Sequence, residues 1–176
     1  MSHSRAEIEA TVDRYVEVRK RIDLGELAWD ALAQFFTDDA VYIDPAWGRI
    51  EGIEKISKFF VESMVGLEDW SFPIEFTAID GDQVMVKWLQ ITPGSRADGS
   101  RFVQSGVSTL IYAGDGRFSY EEDLLNMVHV LEDLRASRWR PHTGFNAPPA
   151  EPERDFSRPD GHNVPPIEGW PDPADH

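Results

Sequence analysis

The chain has 176 residues, of which 41% are hydrophobic, enough for one domain with a true core plus an appendage. It has no cysteine, which excludes disulfides and thiolate metal sites, and 32 acidic against 17 basic residues give a net charge of −15, which argues against a nucleic-acid partner. No stretch approaches the roughly 18 apolar residues of a membrane span, and Met1–Glu7 has no apolar signal core, so the expectation is a cytoplasmic protein with no membrane contact.

The first predicted element is a helix over Arg5–Ile22, with Ile8, Val12, Tyr15, Val16 and Ile22 on one stripe. Asp23-Leu24-Gly25 breaks it. A second helix follows with Leu27, Ala28, Ala31, Leu32, Phe35 and Phe36 apolar, so the two read as an antiparallel pair. Ala40–Asp44 reads as a strand, Trp47–Ile50 as a short return strand, and Ile53–Val65 as a third helix with Ile53, Ile56, Phe59, Phe60 and Met64 on one face.

From Trp70 the period changes from helical to alternating. Trp70, Phe72, Ile74, Phe76 and Ala78 share one face, and Asp80-Gly81-Asp82 is a turn signal. Next, Val84, Val86, Trp88, Gln90 and Thr92 alternate with Met85, Lys87, Leu89 and Ile91. A loop over 93–100 leads into a long strand, Arg101–Tyr112, then a turn at Ala113–Gly116 and a last strand from Arg117 to about Asn126. A final helix turns Met127, Val130, Leu131 and Leu134 inward. Helices followed by an antiparallel meander make an α+β fold, a curved sheet packed on helices.

The end of the chain differs. From Phe145 onward, 8 of the 12 prolines fall within 32 residues, and each removes a backbone donor. This tail, 141–176, is either disordered or an extended arm. Phe145, Phe156, Ile167 and Trp170 are its candidate anchors.

Asp44 is the residue to which the local pattern draws attention. It ends an apolar run, precedes Pro45, and has Trp47 three positions on. A carboxylate there is either a turn-former bonding local backbone or a base at the mouth of a pocket. No two histidines have metal-ligand spacing, so no metal site is expected. No glycine-rich phosphate cradle is present, and no cofactor is implied. His129 is the one histidine inside the predicted body.

The order of elements resembles the nuclear transport factor 2-like superfamily, and more closely its SnoaL-like and ketosteroid-isomerase-like enzymes. The matching stretches are Ala10–Val16, Phe35–Ala40, Asp44–Gly48, the helix start at Gly52-Ile53 and the turn Gly114–Arg117. The resemblance covers roughly residues 5 to 138. It implies a cone-shaped α+β barrel over 5–140, with a curved, mostly antiparallel sheet wrapped on three N-terminal helices. It also implies a deep apolar pocket and a homodimer formed through the sheet.

By the same resemblance Tyr15 falls on an oxyanion-holding tyrosine and Asp44 on a catalytic base, while Ser108 stands where a protonated Asp would be expected. Glu121, Asp123 and Leu125 then look into the cone, and two carboxyls at i and i+2 raise one another's pKa. Trp47, Phe60, Trp88, Gln90, Ser108 and Tyr112 are candidate pocket walls, and His129 lies near the mouth. The activity implied is cofactor-independent acid–base chemistry of isomerase, dehydratase or cyclase type. Its ligand would be small, largely apolar and carbonyl- or hydroxyl-bearing, such as a steroid or polyketide. The alternative is a non-catalytic ligand-binding or dimeric interaction module. Epoxide hydrolysis on the same fold needs two Asp and an Arg around a water, and the pattern shows no pocket-facing arginine.

Overall fold

The computed structural model describes residues 3–160 and 168. Among the described residues there are three α-helices and six strands: α1 (Arg5–Asp23), β1 (Phe36–Asp44), β2 (Gly48–Glu51), α2 (Ile53–Glu62), β3 (Ile74–Asp80), β4 (Gln83–Ser95), β5 (Arg101–Gly114), β6 (Arg117–Leu125) and α3 (Met127–Ser137). The six strands form one unclosed sheet in the order β2-β1-β6-β5-β4-β3. Every neighbouring pair is antiparallel except β1 and β6, which are parallel. Register shifts interrupt the β1–β6, β3–β4, β4–β5 and β5–β6 ladders. Such bulges bend strands and increase their twist, and the sheet curves into the cone of the expected α+β fold.

Helix α1 starts at Ser4, whose hydroxyl accepts from the Glu7 amide and satisfies one orphan donor of the first turn. Its buried stripe is Ile8, Val12, Tyr15, Arg19 and Ile22. Its apolar members pack with Leu32, Phe35, Phe36, Phe59, Phe60, Val84, Val86, Trp88 and Phe118 into the main core on the concave face. A small second cluster, Val41, Ile43, Ile111 and Tyr120, lies apart from it. These alternate with Tyr42, Leu110 and Tyr112 of the main core, as the two-residue period of a strand requires.

Three expectations are corrected. The second helix is a seven-residue 3-10 segment, Trp29–Phe35, because its N-cap Ala28 makes no side-chain bond to it and Phe36 already belongs to β1. The third helix stops at Glu62, capped by Ser63. The face assigned to Phe76 is wrong. A register shift between Ile74 and Phe76 interrupts the alternation, and Phe76 is 55% exposed.

The first part of the tail crosses the body. The His142 amide donates to the Gly66 carbonyl, and Phe145 lies against Gly66. Further on, Glu153 bridges Gly48 in parallel, the Arg49 amide donates to the Glu153 carbonyl, and Arg154 donates to the Pro45 carbonyl at 2.9 Å. Arg49 also donates to the Ser157 carbonyl at 2.6 Å. Gly48, at φ 81°, leaves the space Glu153 occupies, which a Cβ would fill. The candidate anchors Ile167 and Trp170 lie outside the described residues.

Candidate active site

A cavity of about 280 Å³ opens between the concave sheet face, α2 and α3. Its walls are mostly apolar: Trp29, Leu32, Phe59, Phe60, Trp88, Leu125 and Val130 are among them, with Trp47 and Phe72. Phe145, Asn146 and Pro148 of the tail complete the lining. Four polar side chains from the sheet, Tyr42, Asp44, Gln90 and Asp123, and one from α1, Arg19, interrupt the apolar wall. A largely apolar pocket with a few placed polar groups is the pattern of a small-molecule site.

Asp44 closes the local turn and also reaches the cavity. Its Oδ1 accepts from the amides of Ala46 and Trp47, each at 2.7 Å, which closes the turn after Pro45. Its Oδ2 has no partner among the described residues, and the side chain lines the cavity. Burial first, and the Asp123 carboxyl second, push its pKa up to about 6 against the pull of those two amides. The side chain meets the cavity and yet lies deep in the protein, so desolvation outweighs the amide bonds.

Asp123 sits on β6 and is held by two hydroxyls. Tyr42 donates to Oδ2 at 2.6 Å, and Ser108, opposite it on β5, donates to Oδ1. Ser108 in turn accepts from the Trp88 indole at 3.0 Å, so its hydroxyl proton is committed to Asp123. Gly106 makes this possible, because the Trp88 ring lies where a Cβ on residue 106 would stand. Burial raises the Asp123 pKa, while the two hydroxyls and Arg19 oppose the rise.

Glu121 is two residues back on the same face and fully buried. Its carboxyl accepts from the Tyr15 hydroxyl at 3.3 Å, and that hydroxyl accepts from Arg19 Nη1 at 3.3 Å. Burial, with Asp123 close by, raises the Glu121 pKa. Arg19 stacks over the Tyr15 and Trp29 rings and stays protonated, since the surrounding Tyr and Glu charges outweigh its burial. Its remaining guanidinium nitrogens have no partner among the described residues, and the residue lines the cavity. Glu121 and Asp123 therefore share the field of one buried cation, and Asp44 lies close to Asp123.

Of the sequence candidates, Asp44, Asp123, Trp47, Phe60, Trp88, Gln90 and Leu125 line the cavity. Tyr15 and Ser108 stand directly behind the wall, bonded to Arg19 and Asp123 of it, and Glu121 lies behind Tyr15. Tyr112 is placed elsewhere: its hydroxyl donates to Glu7 at 2.6 Å and accepts from the Gly116 amide, because it lies on the core side of β5 but four residues along from Ser108, beside the first turn of α1. His129 is off the wall too, lying 3.2 Å from Asp133 on the same helix. Sequence reasoning missed Arg19 and Tyr42. Arg19 continues the Ile8-Val12-Tyr15 spacing, and Tyr42 shares a strand face with Asp44. Arginine is rarely buried, which hid the first, and it overturns the expectation of no pocket-facing arginine. Among the described residues no three His, Asp or Glu side chains are gathered to hold a metal ion, and no helix is long and apolar enough to cross a membrane.

A helix-backed curved sheet with acids in an apolar cone defines a class, and comparison gives it a family. Residues 12–121 match the SnoaL-like domain family, and the chain belongs to it. No curated protein matches the chain. Among solved structures, a protein from Jannaschia provisionally assigned as a SnoaL-like polyketide cyclase superposes with TM-score 0.58 at 17% identity, covering 80% of this chain and 99% of its own. A protein from Kribbella flavida provisionally assigned as a ketosteroid isomerase gives 0.53 at 20% identity, over 69% and 78%. A ketosteroid-isomerase-like protein from Catenulispora acidiphila, solved with trimethylamine, gives 0.51 at 20% identity, over 65% and 88%. At these identities the likeness carries the fold, and the chemistry must come from this chain's own side chains.

Proposed function

We propose that this protein is a cofactor-independent acid–base enzyme of the isomerase, cyclase or dehydratase type, acting on a small, largely apolar molecule with a carbonyl or hydroxyl. One observation carries the reading: Asp44, Asp123 and Arg19 line the same apolar cavity, where burial pushes the Asp44 pKa up to about 6. The SnoaL-like membership supports the same class of activity.

Asp44 is the base, its Oδ2 taking a proton from carbon beside the ligand carbonyl. Arg19 is the donor to the oxygen on which charge develops, a term often worth about 3–4 kcal/mol per donor. Asp123 is the second acid or base. Tyr15 and Glu121 act through Arg19: the tyrosine hydroxyl holds the guanidinium, and the glutamate keeps that hydroxyl turned away from the ligand. Residues 5–140 form the catalytic domain and the described part of the tail, 141–160, an arm over its mouth, with a homodimer forming on the exposed Phe76, Met85 and Leu124.

Two other readings have an observation each. Arg19 supplies the cation that epoxide opening requires. The commitment of the Tyr15 hydroxyl to Glu121 favours a non-catalytic binding module. Deuterium exchange separates all three. Cyclic ketones incubated with the protein in D2O should gain deuterium at the carbon beside the carbonyl, and the Asp44→Asn variant should give none. Epoxide opening without ketone exchange would replace the reading with hydrolysis. Ligand binding without either reaction would leave the binding module.

A further inference from the structure

A second buried polar chain leaves the cavity at a different point from the carboxyls. Gln90 lines the cavity and is 5% exposed. Its Nε2 donates to Gln104 Oε1 at 3.1 Å, and Gln104 Nε2 donates to Asp133 Oδ2 at 2.7 Å. Asp133 also takes Arg96 Nη2 on both oxygens, at 2.8 and 3.0 Å, with His129 Nε2 3.2 Å from Oδ2. Arg96 lies over the Phe102 ring, which fixes its guanidinium.

The last member sets the direction of the whole chain. A carboxylate accepts and a guanidinium only donates. Gln104 must therefore turn its NH2 to Asp133, which leaves its oxygen facing Gln90. Gln90 must then give its NH2 to Gln104, which leaves its own oxygen, Oε1, without a partner among the described residues. Gln90 lines the cavity, so this oxygen is open to a ligand there, and a ligand donor is what would satisfy it.

We propose that Gln90 is a one-way acceptor that selects ligands carrying a hydroxyl or N–H remote from the carboxyl wall, with Gln104, Asp133 and Arg96 as its positioning residues. The remoteness follows from register. Val86 pairs with Ser108, and Ser108 with Asp123. Gln90 is four residues farther along β4, roughly 13 Å at about 3.3 Å per residue. A rigid ligand that spans this distance, such as one of several fused rings, carries its enolisable carbonyl at one end and the donor at the other. The inference rests on the cavity being the apolar ligand site argued above.

Testosterone and androst-4-ene-3,17-dione are a matched pair of probes. They share the ring-A enone and differ at the far end as hydroxyl and ketone. By titration calorimetry the wild-type protein should bind the hydroxyl member about tenfold more tightly. The ratio should fall to near one in Gln90→Met. It should fall likewise in Asp133→Asn, where the amide can accept or donate and no longer sets the chain's direction. Equal binding by the wild-type protein, or a ratio kept in Gln90→Met, refutes the inference while leaving the apolar site standing. Binding of neither steroid refutes that site, and this inference with it. The direction is also measurable without ligand or variant, as a scalar coupling across the hydrogen bond from the Gln90 side-chain amide to the Gln104 carbonyl carbon. A coupling running from the Gln104 amide to the Gln90 carbonyl overturns the proposal.

Discussion

Replacing Asp44 by Asn should abolish proton transfer and make the protein more stable at neutral pH, which are opposite signs from one substitution. The carboxyl's ordinary pKa of 3.8 rises to about 6 in the fold, chiefly through burial. A raised carboxyl pKa means the folded state binds the proton more tightly than the unfolded chain. The stability this group contributes is therefore complete below about pH 4 and is lost as pH rises through about 6. At about 1.4 kcal/mol per pH unit, the ionised Asp44 costs the neutral protein up to roughly 3 kcal/mol, and water in the cavity lowers that to roughly 1–3 kcal/mol. Asn removes the charge, while its carbonyl oxygen can still accept from Ala46 and Trp47, so the turn survives. Urea denaturation at pH 7.5 should show Asp44→Asn more stable than wild type by that amount, with a melting point raised by about 3–10 °C. At pH 4 the two curves should coincide. A variant less stable than wild type at pH 7.5 would refute the reasoning and mark Asp44 as a turn residue first. Stability gained at the expense of activity is also what a strained catalytic group predicts.

Further outcomes follow from the same site. Exchange of ketone α-protons in D2O should rise with pH through a midpoint near 6, as Asp44 loses its proton; a flat profile from pH 5 to 8 would remove Asp44 as the base. Arg19→Met should cost about 3–5 kcal/mol in chemical denaturation, because Glu121 and Asp123 lose their buried cation. Adding Glu121→Gln should restore part of that loss, whereas strictly additive losses would argue against the coupling. Gly106→Ala should cost roughly 1–3 kcal/mol, since the new Cβ meets the Trp88 ring; an unchanged melt would show that the indole can shift. Ending the chain after Pro141 should lower the melting point and raise binding of an apolar dye, by uncovering the lining that Phe145 and Pro148 complete; unchanged melting would show that the arm contributes no stability.

Much of the fold was legible because it rests on local periodicities. The 3.6-residue stripe of Ile8, Val12 and Tyr15 and the alternation of Val84, Val86, Trp88 and Gln90 each name an element and its buried side. The strands of the meander were found by the turns between them. Where a bulge intervenes the same rule misleads, as at Phe76; at Tyr112 the side was legible, and what alternation could not give was its distance along the strand from the cavity. The second helix failed for a related reason: apolar spacing persists through Phe36, but no cap stabilises an α-helix there.

For the site, the sequence by itself determined which strand faces carry acids: Asp44 at the end of β1, and Asp123 with Glu121 at one parity of β6. Only the tertiary structure decided what those acids meet. Arg19 and Tyr42 come from elements about 100 and 80 positions away in the chain from the carboxyls they serve, and the bonds of Tyr15 to Glu121 and of Tyr42 to Asp123 exist only once α1 and β1 pack on β6. Charge balance inside a cavity is a property of such long-range neighbours, because desolvation and Coulomb terms depend on distance in space. Local pattern reports which way a side chain points, and the fold alone reports what is there to receive it.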